Sequence, residues 1–191
     1  VTGVQTCALP ILGVTIEASE FKGIEGVEQA ATRLKQLARQ AYAQRESTYG
    51  IDFALDFTSS QLQARNTEAL NQFCHWAGTR YGLSWTPDTL PSNRPEELRA
   101  LLVQAAATWD DAKFAERTKA CLQQGGDAKA IAAWFESEGL ARLNERELSD
   151  AAANPERFVN ARLRECLRAE LTHFERWIIL QTLDKIGRAH V

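Results

Sequence analysis

The sequence is poor in the groups from which catalytic centres are built. It holds three histidines and four cysteines, and none stands in a C-x-x-C or H-x-x-x-H spacing that would gather metal ligands. There is no G-x-x-x-x-G-K-[ST] loop to cradle phosphates and no G-x-G-x-x-G turn. No G-x-S-x-G elbow accompanies any serine, so no activated nucleophile is legible. Beyond Cys7, the widely spaced Cys74, Cys121 and Cys166 argue against a disulfide framework and for a reducing compartment. Long apolar runs are scarce as well. Away from the start the longest strongly apolar run is Trp177–Leu180, far short of the about 20 residues that cross a bilayer. Charge is mixed in sign, 22 Lys+Arg against 25 Asp+Glu, with no basic stripe to hold nucleic acid or an anionic membrane. These absences leave no catalytic, cofactor-binding or metal-binding residue to name.

Both ends have a distinctive reading. Val1–Ile11, VTGVQTCALPI, and Ile186–Val191, IGRAHV, read as translations of the two strands of one sequencing-library adapter, the second followed by a stop triplet. The expectation is that the protein's own sequence here runs from Leu12 to Lys185, as a window on a longer chain, and that both flanks stand outside the fold. Setting aside Arg188 makes the net charge one unit more negative than −3. CALPILGV resembles the apolar core of a secretory leader, but it lacks a basic preceding region and is mostly adapter-like.

What is present is helical periodicity, and an all-α fold is expected. Ile24, Val27, Ala31, Leu34, Ala38, Ala41 and Tyr42 place an apolar stripe on a helix of about 25 residues ending near Gly50. A second helix fits Thr67–Tyr81, with Leu70, Phe73, Trp76 and Ala77 inward and Gly82 as its stop. Pro87, Pro91 and Pro95 then interrupt the chain, and Pro95 starts a helix carrying Leu98, Leu101, Leu102, Ala105, Ala106 and Trp109. Further helices fit Ala112–Gln123, closed by Gly125-Gly126, and Ala128–Ser137. The last is capped by Asn154 with Pro155 in its first turn, and no glycine or proline interrupts it through Lys185. Phe158, Val159, Leu163, Cys166, Leu167, Leu171, Phe174, Trp177, Ile178 and Leu183 form its stripe over some eight turns, as on one stiff rod of about 30 residues. Residues 12–153 are thus expected to form one helical region and 154–185 a long helix. One segment disagrees: Ile51, Phe53, Leu55 and Phe57 alternate with polar or small residues, a period of two that suits a short strand or an extended connector.

An internal echo is visible. Trp76, Gly82-Leu83, Leu90 and Pro95-Glu96 are followed by Trp134, Gly139-Leu140, Leu148 and Pro155-Glu156 in the same order, which a duplication and coincidence among helices explain equally well. Other pairings have plain readings. Cys74 and His75 are adjacent and so diverge by about 100° on a helix. Cys166 and His173 share a face, as a packed thiol beside a partly exposed imidazole. Glu175 and Asp184 are nine positions apart and suit solvent, or ion pairs with Arg168 or Arg176. The five tryptophans fit core anchors better than a stacking platform.

The final stretch carries a family likeness. His173-Phe174-Glu175-Arg176, Trp177-Ile178-Ile179 and Leu180-Gln181-Thr182-Leu183-Asp184 follow, in order and type, the HFE-(K/R)…LQ-(T/V)-(L/I)D phrase of SecA, the ATP-driven preprotein translocase motor, and the stretch resembles that family. Leu34–Tyr49 and Pro95–Leu102 resemble, more loosely, its AYE-x-(K/R)E and PEELRE-x-L phrases. The resemblance implies a helical wing running into the first part of a two-helix finger and scaffold. Phe174, Glu175, Arg176, Ile178, Leu180, Gln181, Leu183 and Asp184 would be structural residues of the finger helix. It further implies a parent ATPase whose ATP and Mg sites lie in segments absent here, so this piece itself holds no cofactor. The partners implied are a SecYEG-type channel and an unfolded preprotein, at the cytoplasmic, inner face of the plasma membrane, with a homodimer admitted and nucleic acid excluded. Residues 12–172 exceed the usual length of that wing, which an insertion or a duplication would explain. The rival reading is a non-enzymatic helical docking module. Loss of an antiparallel partner would leave Trp177, Ile178 and Leu183 exposed, so that the chain self-associates.

Overall fold

In the computed structural model residues 18–189 are described, with side chains from 19 to 184. The adapter-like opening, residues 1–11, and the final two residues lie outside that span, and residues 186–189 are described only as backbone. Among the described residues the fold is all-α, with no strand. The helices are α1 (Val27–Gln63), α2 (Ala69–Tyr81), α3 (Pro95–Ala106), α4 (Asp111–Gln124), α5 (Ala128–Ser137), α6 (Glu145–Ala153), α7 (Pro155–Leu167) and α8 (Ala169–Ala189). Short 3-10 turns stand at Ala18–Phe21 and Pro87–Thr89. No helix among the described residues is long and apolar enough to cross a membrane.

The chain divides into two units, Val1–Thr48 and Tyr49–Val191. In the first, none of the residues whose side chains are described is buried. Leu34, Ala38, Ala41 and Tyr42 are half-buried, whereas Val27 is 86% exposed. Ile24 precedes the helix, tied by its backbone N–H to the Phe21 carbonyl at 3.2 Å. An ion pair between Arg33 and Glu20 joins the helix to the turn before it. The expected stripe is therefore partly sheltered at Leu34, Ala38, Ala41 and Tyr42 and exposed at Val27 and Ala31.

The second unit holds two apolar clusters. One gathers Ile51, Ala54 and Leu55 from the end of α1, Phe73, Cys74 and Ala77 from α2, and Leu98 and Leu102 from α3. The other gathers Phe114 and Cys121 of α4, Ile131, Trp134 and Phe135 of α5, Ala151 of α6, and Val159, Leu163 and Cys166 of α7. Each large side chain buried this way stabilises the fold by roughly 1.5–3 kcal/mol. α4 packs most extensively on α7. Polar caps fix where these helices begin. Asp110 accepts from the Lys113 amide, and Asp127 accepts from those of Lys129 and Ala130. Asn154 accepts from the Arg157 amide at 3.1 Å, with Pro155 in the first turn as expected. Gly82 (φ 71°) and Gly139 (φ 66°) both adopt the left-handed conformation after a helix, where a side chain is strained.

Three expectations are corrected. Ile51–Phe57 is neither a strand nor an extended connector, since α1 runs through it to Gln63. The two-residue alternation there is incidental. Ile51, Ala54 and Leu55 stand three and four apart and are buried, while Phe53 and Phe57 remain 49% exposed on another face. Gly50, expected as a terminus, sits inside the helix, where a Cβ would lie 3.1 Å from a Glu170 carboxylate oxygen. Second, the loop expected before Pro155 contains α6. Its start is a capping box, in which Asn144 accepts from the Glu147 amide at 3.0 Å while the Glu147 carboxylate accepts from the Asn144 amide at 2.8 Å.

The third correction concerns the last helix, which is not one rod. It breaks at Arg168 (φ −108°, ψ 17°), where α7 ends and α8 begins. Neither glycine nor proline causes the break. A helix end frees carbonyls that its own turns no longer satisfy, and here the Cys166 carbonyl, which also meets the Arg168 backbone N–H, accepts from the Arg80 guanidinium of α2. Glu170, in the first turn of α8, accepts from Arg80 at 2.8 Å and from the Trp76 indole N–H at 3.0 Å.

Candidate functional site

The stretch singled out by its family likeness lies wholly on α8, and the structure divides it in two. Its beginning is held. Leu171 is buried, and the half-buried Phe174 stacks on Tyr49 with ring centroids 5.0 Å apart. The Glu175 carboxylate pairs with Arg168 at 2.9 Å, so of its two expected partners it takes Arg168. Phe174 also stacks on Trp177, centroids 6.1 Å apart.

Beyond that point most of the described side chains are exposed. Trp177 is 52% exposed, Ile179 57%, Leu180 65% and Leu183 59%. Ile178 is half-buried, and Arg176, Gln181 and Asp184 are exposed. A run of large apolar side chains standing in water marks a surface that gains free energy when covered. Of the face expected to lie open, Trp177 and Leu183 do so, while Ile178 is partly sheltered.

The chemistry elsewhere is quiet. Among the described residues no group of histidines, cysteines and carboxylates could hold a metal ion. Cys74, Cys121 and Cys166 are free and buried. Burial pushes the Cys121 thiol up to about 11 and raises those of Cys74 and Cys166 as well, so none is a ready nucleophile. Cys166 is buried on α7 while His173 is exposed on α8, and the break at Arg168 lies between them. Four tryptophans, Trp76, Trp85, Trp109 and Trp134, sit in or against the two clusters, as core anchors do. Trp177 is the exception.

Two of the grooves in this unit are lined by aromatic side chains. One, of about 600 Å³, is lined by His75, Tyr81, Trp85, Trp109, Lys113 and Glu138 among others. The Arg117 side chain on its wall is already engaged, paired with Glu138 at 2.6 Å and laid over the Trp134 ring at 5.0 Å. A smaller one, of about 200 Å³, runs between Phe53, Phe57, Phe73 and Trp76 with Glu170 on its wall. Sequence reasoning passed over Glu170 entirely, because its partners Trp76 and Arg80 stand some ninety positions earlier in the chain. No family model, curated protein or solved structure matches the chain.

Proposed function

We propose that the chain is a non-catalytic helical part of a SecA-like motor, acting mechanically through α8. What carries the reading is the phrase Phe174–Asp184 on one helix whose apolar side chains Trp177, Leu180 and Leu183 stand exposed. Phe174, Glu175, Arg176, Ile178, Leu180, Gln181, Leu183 and Asp184 serve as structural residues of a finger-type helix that waits for an antiparallel companion. ATP and Mg belong to domains of the parent protein, which works at the cytoplasmic face of the plasma membrane with a SecYEG-type channel and an unfolded preprotein. Reading the gene past Lys185 from an independent clone tests this directly. A tryptophan followed within a few residues by His-Leu, with a phosphate-binding loop encoded upstream, is the expected result. A stop codon or a loop-forming stretch there would overturn it.

A docking module is the second reading, favoured by the break at Arg168. A rod interrupted between α7 and α8 transmits displacement poorly, whereas a short helix with an open apolar edge suits capture of a partner helix. Either reading expects the exposed edge to bind a hydrophobic dye and to promote self-association. A monomer at high concentration that leaves the dye dark would count against both.

A further inference from the structure

The sequence from Glu156 to Lys185 contains no glycine and no proline, so nothing local prevents one continuous helix. Yet the helix is interrupted at Arg168, and the groups that meet the interruption come from elsewhere. Arg80 of α2 donates both to the Cys166 carbonyl and to the Glu170 carboxylate, and Trp76 donates to the same carboxylate oxygen. The Arg80 and Glu170 side chains are only 13% and 14% exposed, which shields their attraction from water. Glu170, Leu171 and Phe174 hold the first two turns of α8. From Ile179 to Asp184 every residue is exposed.

From this we propose that Arg80, Trp76 and Glu170 form a latch that selects the interrupted arrangement of α7 and α8 over one continuous helix. In the latched form the Cys166 carbonyl is satisfied by Arg80. In the released form the i to i+4 ladder satisfies it, so the backbone exchanges one partner for another with little net loss. Release frees the Leu171 and Phe174 contacts and re-aims the exposed edge of Trp177, Leu180 and Leu183. A bistable element of this kind responds to any ligand that prefers one of its two shapes. The inference does not depend on the SecA-like reading, because it uses only the break and its partners.

The test is a distance measured between spin labels on genetically encoded keto residues at positions 156 and 176, both exposed, in the full chain. Such labels leave the native thiols untouched. An unbroken helix would separate those positions by about 30 Å along its axis. The wild type should give a shorter distance. Arg80→Ala should move the population toward the longer one, and the charge-free pair Arg80→Met with Glu170→Gln should do so while keeping the packed stems. Distances unchanged in both variants with helicity intact would overturn the latch. So would loss of helicity in both, since these groups would then hold the fold itself and not choose between two helical shapes.

Discussion

The helices α4 to α7 and the helix α8 are neighbours in sequence and opposites in construction. In the former, each helix brings side chains to a shared core and begins at a polar cap, and Phe135, Ile131 and Val159 are fully buried. In α8 the sequence is no less apolar, yet four of its large hydrophobics are more than half exposed. Composition alone does not make a core. What differs is whether apolar positions meet partners along the whole length of the helix, which local periodicity does not report.

That contrast can be broken in order of size. Phe135→Ala should cost about 3–5 kcal/mol, because it empties a fully enclosed site, whereas Leu180→Ala should stay within about 0.5 kcal/mol. Chemical denaturation of the two variants measures both. A comparable loss from Leu180→Ala would mean that the α8 edge is packed after all.

The next largest effect is alkaline. Burial, reinforced by the Glu170 carboxylate and opposed by Arg80, pushes the Tyr81 phenol from 10 up to about 12. The unfolded chain therefore gives up this proton first. Stability is unaffected by Tyr81 below pH 10 and falls between pH 10 and 12, by about 2–3 kcal/mol in all. Tyr81→Phe should remove that share of the alkaline loss, read as a flatter pH dependence of unfolding free energy than the wild type shows.

Smaller still is the cap of α6. Asn144→Ala removes one half of the reciprocal pair with Glu147 and should cost about 1 kcal/mol. If urea midpoints of the variant and the parent coincide, α6 is held by Ala151 and its neighbours and not by its cap. The smallest change in stability should bring the clearest change in surface behaviour. Leu180→Glu should leave the denaturation midpoint nearly unmoved and reduce both dye binding and self-association. An unchanged dye signal would place the sticky surface elsewhere.

How much of this was legible beforehand depends on where the deciding contacts come from. Ala128–Ser137 could be read to the residue because Asp127 and the apolar spacing are local signals. Pro95 and Asn154-Pro155 likewise announce their helices within one turn. α6 was readable in principle, through Asn144 and Glu147 at capping-box spacing, and was missed because its helix is short. Ile51–Phe57 misled because a period of two and a period near four share Ile51 and Leu55. The break at Arg168 has no local signal at all, being met by Trp76 and Arg80 from far up the chain. The internal echo is half matched in three dimensions. Gly82 and Gly139 share a conformation and Pro95 and Pro155 a helix start. Between them, though, one copy has a single 3-10 turn and the other the helix α6. The interaction role proposed for Phe174–Asp184 rests on likeness and exposure, and no arrangement of reactive groups accompanies it among the described residues.

Gly50 has a consequence of its own. A glycine in a helix interior costs about 1 kcal/mol against alanine, and here it lies well inside a helix of 37 residues. The bare backbone leaves room there for the carboxylate of Glu170. A methyl group there would strengthen the helix and crowd the acid at once. Position 50 is therefore one where helix propensity and the room left to Glu170 pull in opposite directions.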